Sequence, residues 1–418
     1  MTDWDIAIIG AGAAGLAAGI FALEADPSLR VGLFDGARKV GAKILVAGGG
    51  RCNVTHYQTI AKDYNAKQAG FVKNVLKSFT ADDTVAWMKS LGVELKREPT
   101  GKMFPTTDKA RTVLQALLDR LDELGGQLYT EHRVKDVRGE EGGFVVDTYS
   151  GTHRARRVVL CTGGKSLPRS GSDGAGYGIV RSLGHTVTET HPALVSMTLQ
   201  QHFPHKELAG VSHDAQLTTL VEGKPIDRRV GSLLWTHFGL TGPVVMDASR
   251  HWLAARLAGR MATWRMSLLP GERLETLEPQ LLSVAKQTPT ATVRKLLEQF
   301  TPVGASMRQS LPAKVLEVAL RQAGVAGETK LSQWSKADRR AVLNLLLDWP
   351  LPVEQDRGWN HAEVTAGGVP LSEVAWRGMA SRSCGGLHLA GEILDVDGRI
   401  GGFNFQWAWA TGKLAGEA

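Results

Sequence analysis

The sequence predicts an α/β protein in which a parallel sheet is built from both ends of the chain and further segments are inserted between them. Three observations predict it. An apolar strand at the N-terminus runs directly into a glycine-rich turn and an Ala-rich helix. Two later strands, near 158–164 and 387–392, end in glycines in the same way. Between them the pattern changes from alternating to helical and back, as inserted domains would make it.

With 418 residues the chain is too long for one compact core, so two or three domains are expected. Apolar residues make up 43% and charged residues 22%, which excludes wholesale disorder. The net charge of +7 invites a nucleic-acid reading, but the basic runs, such as Arg154-Ala155-Arg156-Arg157, are short and lack interleaved aromatics. Solvated faces or an anionic small molecule account for them better. Cys52, Cys161 and Cys384 are far apart, with no C-x-x-C, so neither a disulfide framework nor a metal site is expected, and a reducing, cytoplasmic setting fits. Ile6 to Leu23 is uncharged over 18 residues, but its glycines and acidic flanks argue for a buried strand, turn and helix over a membrane span.

Trp4 to Ile9 reads as a strand buried on both faces, followed by Gly10-Ala11-Gly12-Ala13-Ala14-Gly15 and a helix to Ala25. This is the G-x-G-x-x-G pattern in its meaningful context, opening a helix after a strand. Gly10 allows the tight turn, Gly12 lets backbone approach a pyrophosphate, and Gly15 lets helix and strand pack closely. The unpaired N–H groups of the helix start, at Ala13 and Ala14, would receive the phosphates. A second strand, Val31 to Phe34, ends at Asp35, 20 residues beyond Gly15, where a carboxylate accepts from ribose hydroxyls; Gly36 follows it. The fingerprint does not separate FAD from NAD, and Arg38 leaves NADP open.

The far end of the chain favours a longer ligand. No second G-x-G-x-x-G stands between a strand and a helix. Instead Val158 to Cys161 leads into Thr162-Gly163-Gly164, and Leu387 to Ala390 leads into Gly391-Glu392, Asp395, Asp397 and a loop through Gly401 and Gly402. A final aromatic-rich helix would start near Gly402-Phe403-Asn404, its N-terminus stabilising negative charge on a reduced flavin ring.

These residues also carry a resemblance. The block from Lys39 through Gly48-Gly49-Gly50-Arg51-Cys52-Asn53-Val54-Thr55 closely resembles a signature of the HI0933-like flavoproteins. So do Cys161 to Pro168 with Gly171-Ser172-Asp173-Gly174, the block Thr236 to Pro243, and Val364 to Val369 leading into Ala390 to Asp395. The resemblance implies bound FAD in a Rossmann-like domain of the glutathione reductase type, with a β-barrel-like domain inserted into it and a helical domain nested within that. On this basis residues 1–191 and 369–418 form the FAD-binding domain, 192–268 and 349–368 the β-barrel-like insert, and 269–348 the helical insert. It adds Lys43 and Gly50 to the cofactor site, together with the backbone of Val134 beside the adenine. It also implies NAD(P)H-dependent reduction of activated double bonds, one branch of similar proteins acting on bile-acid intermediates. This chain departs at Asp35, where Glu is common, and at Cys161, where Ala is common; Asp and Glu both serve the ribose.

Between the ends, helical spacing covers Lys73 to Leu95 and Thr112 to Leu124, and alternation covers Gln127 to Val137 and Gly143 to Tyr149. After His191-Pro192 come strand-like segments at Val195 to Leu199, Ala215 to Leu220 and Gly231 to Trp235. Helical segments follow at Leu274 to Val284, Ala291 to Phe300, Lys314 to Ala323 and Lys336 to Asp348.

A flavin carries its own electron chemistry, so the protein must orient substrate and handle protons. The glycine run points to close ligand approach at Arg51, Cys52, Asn53 and Thr55, the first three counted with the cofactor site. Arg51 would hold an anionic or carbonyl-bearing substrate, or balance flavin charge; Cys52 would be a redox thiol; His237, in a Thr-His-Phe-Gly turn, is the proton-donor candidate by chemistry. Each has a plainer alternative: an ion pair, a packed thiol, a loop histidine. Tyr177 is a donor or a core residue. Three function classes follow: an FAD-dependent oxidoreductase using NAD(P)H transiently on a small molecule, a nucleic-acid-modifying flavoprotein such as a tRNA-modifying enzyme, and a non-catalytic flavin sensor.

Overall fold

A computed structural model describes residues 3–300 and 311–418. Trp4–Ile9 is a strand, buried but for Asp5, and pairs in parallel with Val31–Phe34 on one side and Gly151–Leu160 on the other. Leu387–Leu389 extends the parallel sheet beyond Gly151–Leu160, and Gln127–Tyr129 extends it beyond Val31–Phe34. Chain-end segments therefore lie side by side in one sheet. Strands buried on both faces are apolar throughout, which is why Ile6, Ile8, Leu33, Val158 and Leu389 show no alternation. Gly32 is small because a Cβ there would lie 2.9 Å from the Trp4 ring.

Helix Ala13–Ala25 covers this sheet, and the last helix, Phe403–Gly416, packs against it. The helical pattern expected over Lys73 to Leu95 resolves into two helices, Ala69–Ser78 and Ala81–Ser90. Thr80 breaks it: its hydroxyl accepts from the Asp83 N–H, and the Asp83 carboxylate accepts from the Thr80 N–H, a reciprocal cap that starts a new helix.

The chain folds as two units, Met1–Pro192 with Trp359–Ala418, and Ala193–Gly358. Residues 359–368, read above as part of the insert, thus belong with the first unit. Thr365 explains it, because its hydroxyl receives the N–H groups of Lys165 and Ser166. The expected helical insert does not stand apart as a unit of its own.

The second unit holds a seven-stranded antiparallel sheet. Its order is Trp349–Leu351, Ala262–Ser267, Ser212–Val221, Lys224–Trp235, Gly239–Thr241, Met197–Leu199 and Val353–Asp356. The order is an open path among the described residues, with no pairing that closes a barrel. Trp235, Trp264 and Trp349 are fully buried in it. Helix Pro243–Leu257 went unread in the sequence, although Gly242-Pro243 is a helix-start signal with Pro at the first position. Helices Leu274–Gln287, Val293–Gln299, Ala313–Gln322 and Lys336–Leu347 lie close to their expected spans. Among the described residues no helix is long and apolar enough to cross a membrane.

Candidate functional site

The three glycines of the first turn have three different surroundings. Gly10 has φ +98°, and a Cβ there would sit 2.6 Å from the Cys161 carbonyl oxygen, so backbone meets backbone. A Cβ on Gly15 would fall 1.9 Å from the Gly10 carbonyl oxygen, which locks the helix onto the strand end. Around Gly12 a Cβ would meet nothing within 4 Å. Gly12 is also the N-cap of Ala13–Ala25, no side chain caps that helix, and no acid stands in its first turn. Open space at Gly12 and the positive end of the helix, with the leading N–H groups that include those of Ala13 and Ala14, suit a phosphate.

Asp35 closes the turn. Its Oδ2 accepts from the Ala11 N–H at 2.7 Å and its Oδ1 from the Ala37 N–H at 2.8 Å. Each oxygen keeps a lone pair for a ribose hydroxyl. The chain after Gln127–Tyr129 passes alongside: His132 donates its N–H to the Asp35 carbonyl, and Gly36 packs on Arg133, 3.0 Å from where its Cβ would be. Buried Val134 follows at the start of strand Val134–Glu140.

Helix Ala42–Gly50 turns sharply at its end, where Gly48, Gly49 and Gly50 have φ of +57°, +70° and +85°. Three successive left-handed residues are tolerated only as glycine. A Cβ on Gly49 would meet nothing within 4 Å, so this run also borders open space. At the front of the helix Lys43 Nζ lies 2.6 Å from Glu392 Oε2, 2.7 Å from Ser166 Oγ and 3.0 Å from Ser172 Oγ. Glu392 Oε1 accepts from Ser166 Oγ and from the Thr365 N–H. Lys43 and Glu392 were read from sequence as separate cofactor contacts, and the structure pairs them. Ser166, Ser172 and Thr365 were missed as members of this network, though a partly buried lysine needs such partners.

Arg51 is ion-paired and Cys52 is packed. Arg51 Nη1 is 2.7 Å from Glu98 Oε1 and 3.6 Å from Asp108 Oδ1, with its guanidinium 4.0 Å above the Phe104 ring. Cys52 is fully buried at φ +61°, and burial pushes its thiol up to about 12, so it is a protonated thiol. Burial also raises the Cys161 thiol. Next to Cys52, Asn53 is buried with its Oδ1 unpartnered.

At the other end, Gly391 has φ +79° and is held by Thr411 Oγ1 on its N–H and by Trp407 Nε1 on its carbonyl. Asp397 is buried and accepts from Asn65 Nδ2. Asn404 clasps Gly398, accepting its N–H and donating to its carbonyl, so this side chain shapes the loop. Gly402 is glycine because a Cβ would lie 2.5 Å from the Thr55 carbonyl carbon. The Phe403 ring stacks on His56 at 4.8 Å, and its carbonyl accepts from Tyr64 OH. Gly401, at φ +127°, completes the turn into the last helix.

Along the segment after Gly151–Leu160, a Cβ on Gly163 would strike Ser172 Oγ at 2.7 Å and one on Gly164 would strike Thr365 Oγ1 at 2.3 Å. Thr162 Oγ1 is buried without a partner, as is Tyr177 OH. Burial raises Tyr177 well above the ordinary tyrosine value, with Glu392 and Asp395 adding to it, so it stays a neutral phenol. Buried polar atoms are normally satisfied, so Asn53 Oδ1 and Thr162 Oγ1 are ready for a ligand. Together with the open backbone at Gly12 and Gly49, these groups fit a dinucleotide carrying a polar ring system. His237 is in the second unit, exposed in the turn Thr236–Gly239, its ring edge-on to Phe238.

Residues 4–418 match the model described as the HI0933-like protein Rossmann domain. The chain belongs to the HI0933-like family. This is a family of FAD-binding Rossmann proteins and flavoprotein oxidoreductases. Similar proteins include a 3-dehydro-bile acid delta(4,6)-reductase of Clostridium scindens, 35% identical over 99% of this chain and 98% of the relative. A ribosomal RNA dihydrouridine synthase of Escherichia coli is 33% identical over 98% of this chain and 96% of its own length. That of Haemophilus influenzae is 29% identical over 97% and 95%.

Proposed function

We propose that this HI0933-like protein is an FAD-dependent reductase of a carbon–carbon double bond conjugated to a carbonyl, with a reduced nicotinamide as transient electron donor. The observation that carries this reading is the shared chemistry of two differently named relatives at 35% and 33% identity. A 3-oxo steroid alkene and the uracil ring both hold a double bond polarised by a carbonyl, and reduction adds a hydride and a proton across it. FAD, when bound, supplies the hydride. The protein's part is then to bind, orient and manage charge.

In this reading the N–H groups at the start of Ala13–Ala25 hold the pyrophosphate and Asp35 the adenosine ribose. Lys43 and Glu392, fixed by Ser166, Ser172 and Thr365, position the middle of the cofactor, with Asn53 and Thr162 completing its hydrogen bonds. The leading N–H groups of Phe403–Gly416 stabilise negative charge at the ring end. Arg51, paired with Glu98, shapes the glycine turn, and Cys52 packs beneath it. His237, the proton-donor candidate by chemistry, is exposed on the second unit and is given no part in this cradle. A cytoplasmic location fits the reduced thiols.

A second reading has the uracil ring presented by ribosomal RNA. It is favoured by the net charge of +7 and by the two dihydrouridine synthases. The test is anaerobic turnover with NADH or NADPH on two substrates, a 3-oxo-4-ene steroid and unmodified ribosomal RNA. Saturation of the steroid alone supports the first substrate class, and salt-sensitive appearance of dihydrouridine supports the second. Turnover of neither, in a flavin-loaded protein that oxidises the nicotinamide, counts against the double-bond reading.

A further inference from the structure

His185 follows the short helix Gly176–Ser182, with its side chain completely shielded from solvent. Its Nδ1 lies 2.8 Å from Glu373 Oε2 and its Nε2 lies 2.8 Å from Ser381 Oγ. The hairpin that pairs Val374 with Ser381 sets this spacing, because it carries Glu373 and Ser381 to the same end of two neighbouring strands. None of the three residues takes part in the cofactor cradle.

Proton counting fixes the roles. The Glu373 carboxylate also accepts the Thr186 N–H at 3.0 Å and the Thr186 hydroxyl. Burial opposes ionisation of Glu373, but these bonds and His185 outweigh it and hold the carboxyl below its ordinary value. An ionised carboxylate only accepts, so Nδ1 donates to it, and in the neutral ring Nε2 is the acceptor. Ser381 Oγ receives the N–H groups of Ser383 at 3.1 Å and Cys384 at 2.9 Å. Of the two acceptors within reach of its own proton, His185 Nε2 at 2.8 Å is nearer than Ser383 Oγ at 3.3 Å. Ser383 Oγ stands further from Nε2, at 3.4 Å. Ser381 is half-buried, Ser383, Gly385 and Gly386 after it are exposed, and a Cβ on Gly385 would meet nothing within 4 Å.

We propose that Ser381, His185 and Glu373 form a second catalytic site, a serine nucleophile, its general base and the carboxylate that orients it, acting on small carboxylic esters. Nucleophile, base and orienter are all within hydrogen-bond reach, the arrangement that activates a hydroxyl for acyl transfer. Ser381 Oγ bonds to the ester carbonyl carbon as its proton passes to His185 Nε2. The carbon–oxygen bond to the alcohol breaks, and the alcohol leaves with that proton. Water then adds to the acyl group on Ser381, giving its proton to Nε2. The carboxylic acid departs as Ser381 Oγ takes the proton back, so ester and water become acid and alcohol. Glu373 balances the transient imidazolium.

The test is to treat the purified full-length protein with a fluorophosphonate and to map the adduct by peptide mass spectrometry, alongside hydrolysis of p-nitrophenyl acetate. The expected result is a single adduct on Ser381 and ester hydrolysis that falls at least tenfold in Ser381→Ala while Ser383→Ala retains it. Mapping uses the unaltered chain, so it stands even where a variant folds poorly. An unlabelled native protein, an adduct at another residue, or undiminished hydrolysis in a folded Ser381→Ala protein would overturn the proposal.

Discussion

Gly412 of the last helix lies directly on Ala14 of the first: a Cβ on Gly412 would sit 2.5 Å from the Ala14 carbonyl oxygen. Gly416 repeats the approach one turn later, 2.3 Å from the Ala18 carbonyl oxygen. Backbone approaching backbone has no side chain that can yield. Gly412→Val should therefore cost about 1–3 kcal/mol of stability by overpacking and release the flavin, since Ala14 belongs to the phosphate turn. Thermal melting and the absorbance ratio at 450 and 280 nm would check both; an unchanged melt would show that the helices tolerate separation.

Gly12 and Gly15 should respond to valine in opposite ways. Gly12→Val enters open space, so the protein should fold and melt normally while losing FAD. Gly15→Val collides with the Gly10 carbonyl oxygen and should fail to yield soluble protein. Flavin retained by a folded Gly12→Val variant would move the pyrophosphate elsewhere.

Cys52 should be inert. Its thiol is fully buried and pushed up to about 12, far above neutral pH. Iodoacetamide at pH 7.5 should leave it unmodified in the native state and alkylate it in urea, and Cys52→Ala should keep turnover within about twofold. Native-state alkylation with loss of turnover would restore a redox role.

Stability should fall as pH drops below about 6.5. Burial lowers His213, His251 and His388 from the ordinary value of 6.5, His251 to about 4. Their hydrogen bonds agree with neutral rings: Trp235 Nε1 donates to His213 Nε2, and Arg229 Nη2, which only donates, sits 3.0 Å from His251 Nε2. Below 6.5 the unfolded chain binds protons that the folded rings refuse. The stability is fully present above 6.5 and is lost toward pH 4, by up to ~1.4 kcal/mol per pH unit for each histidine. Urea unfolding at pH 7.5, 6.5, 5.5 and 4.5 would show the slope. A flat profile from 7.5 to 5.5 would contradict it.

Much of the first unit was legible because local signals and tertiary roles coincide there. Trp4–Ile9 and Val31–Phe34 have the bounds read from their apolar runs, and Gly10, Gly12 and Gly15 each have a distinct physical reason to be glycine. Legibility ended where partners come from distant segments. Lys43 meets Ser166, Ser172 and Glu392 across more than a hundred residues of chain, and no spacing rule reaches that far. Arg51 was singled out because glycines precede it, but its ion pair with Glu98 joins two distant segments and left no local signal. The break at Thr80 was readable in principle, since Thr-x-x-Asp marks a helix start, but the apolar spacing runs through it.

A bound flavin that takes electrons from a nicotinamide would be seen in the visible spectrum of the purified protein during anaerobic titration with NADPH, and separately with NADH. The expected result is a yellow protein with flavin absorbance near 450 nm that bleaches on adding at least one of the two nucleotides. A protein that is colourless and takes up no added FAD would contradict the assignment.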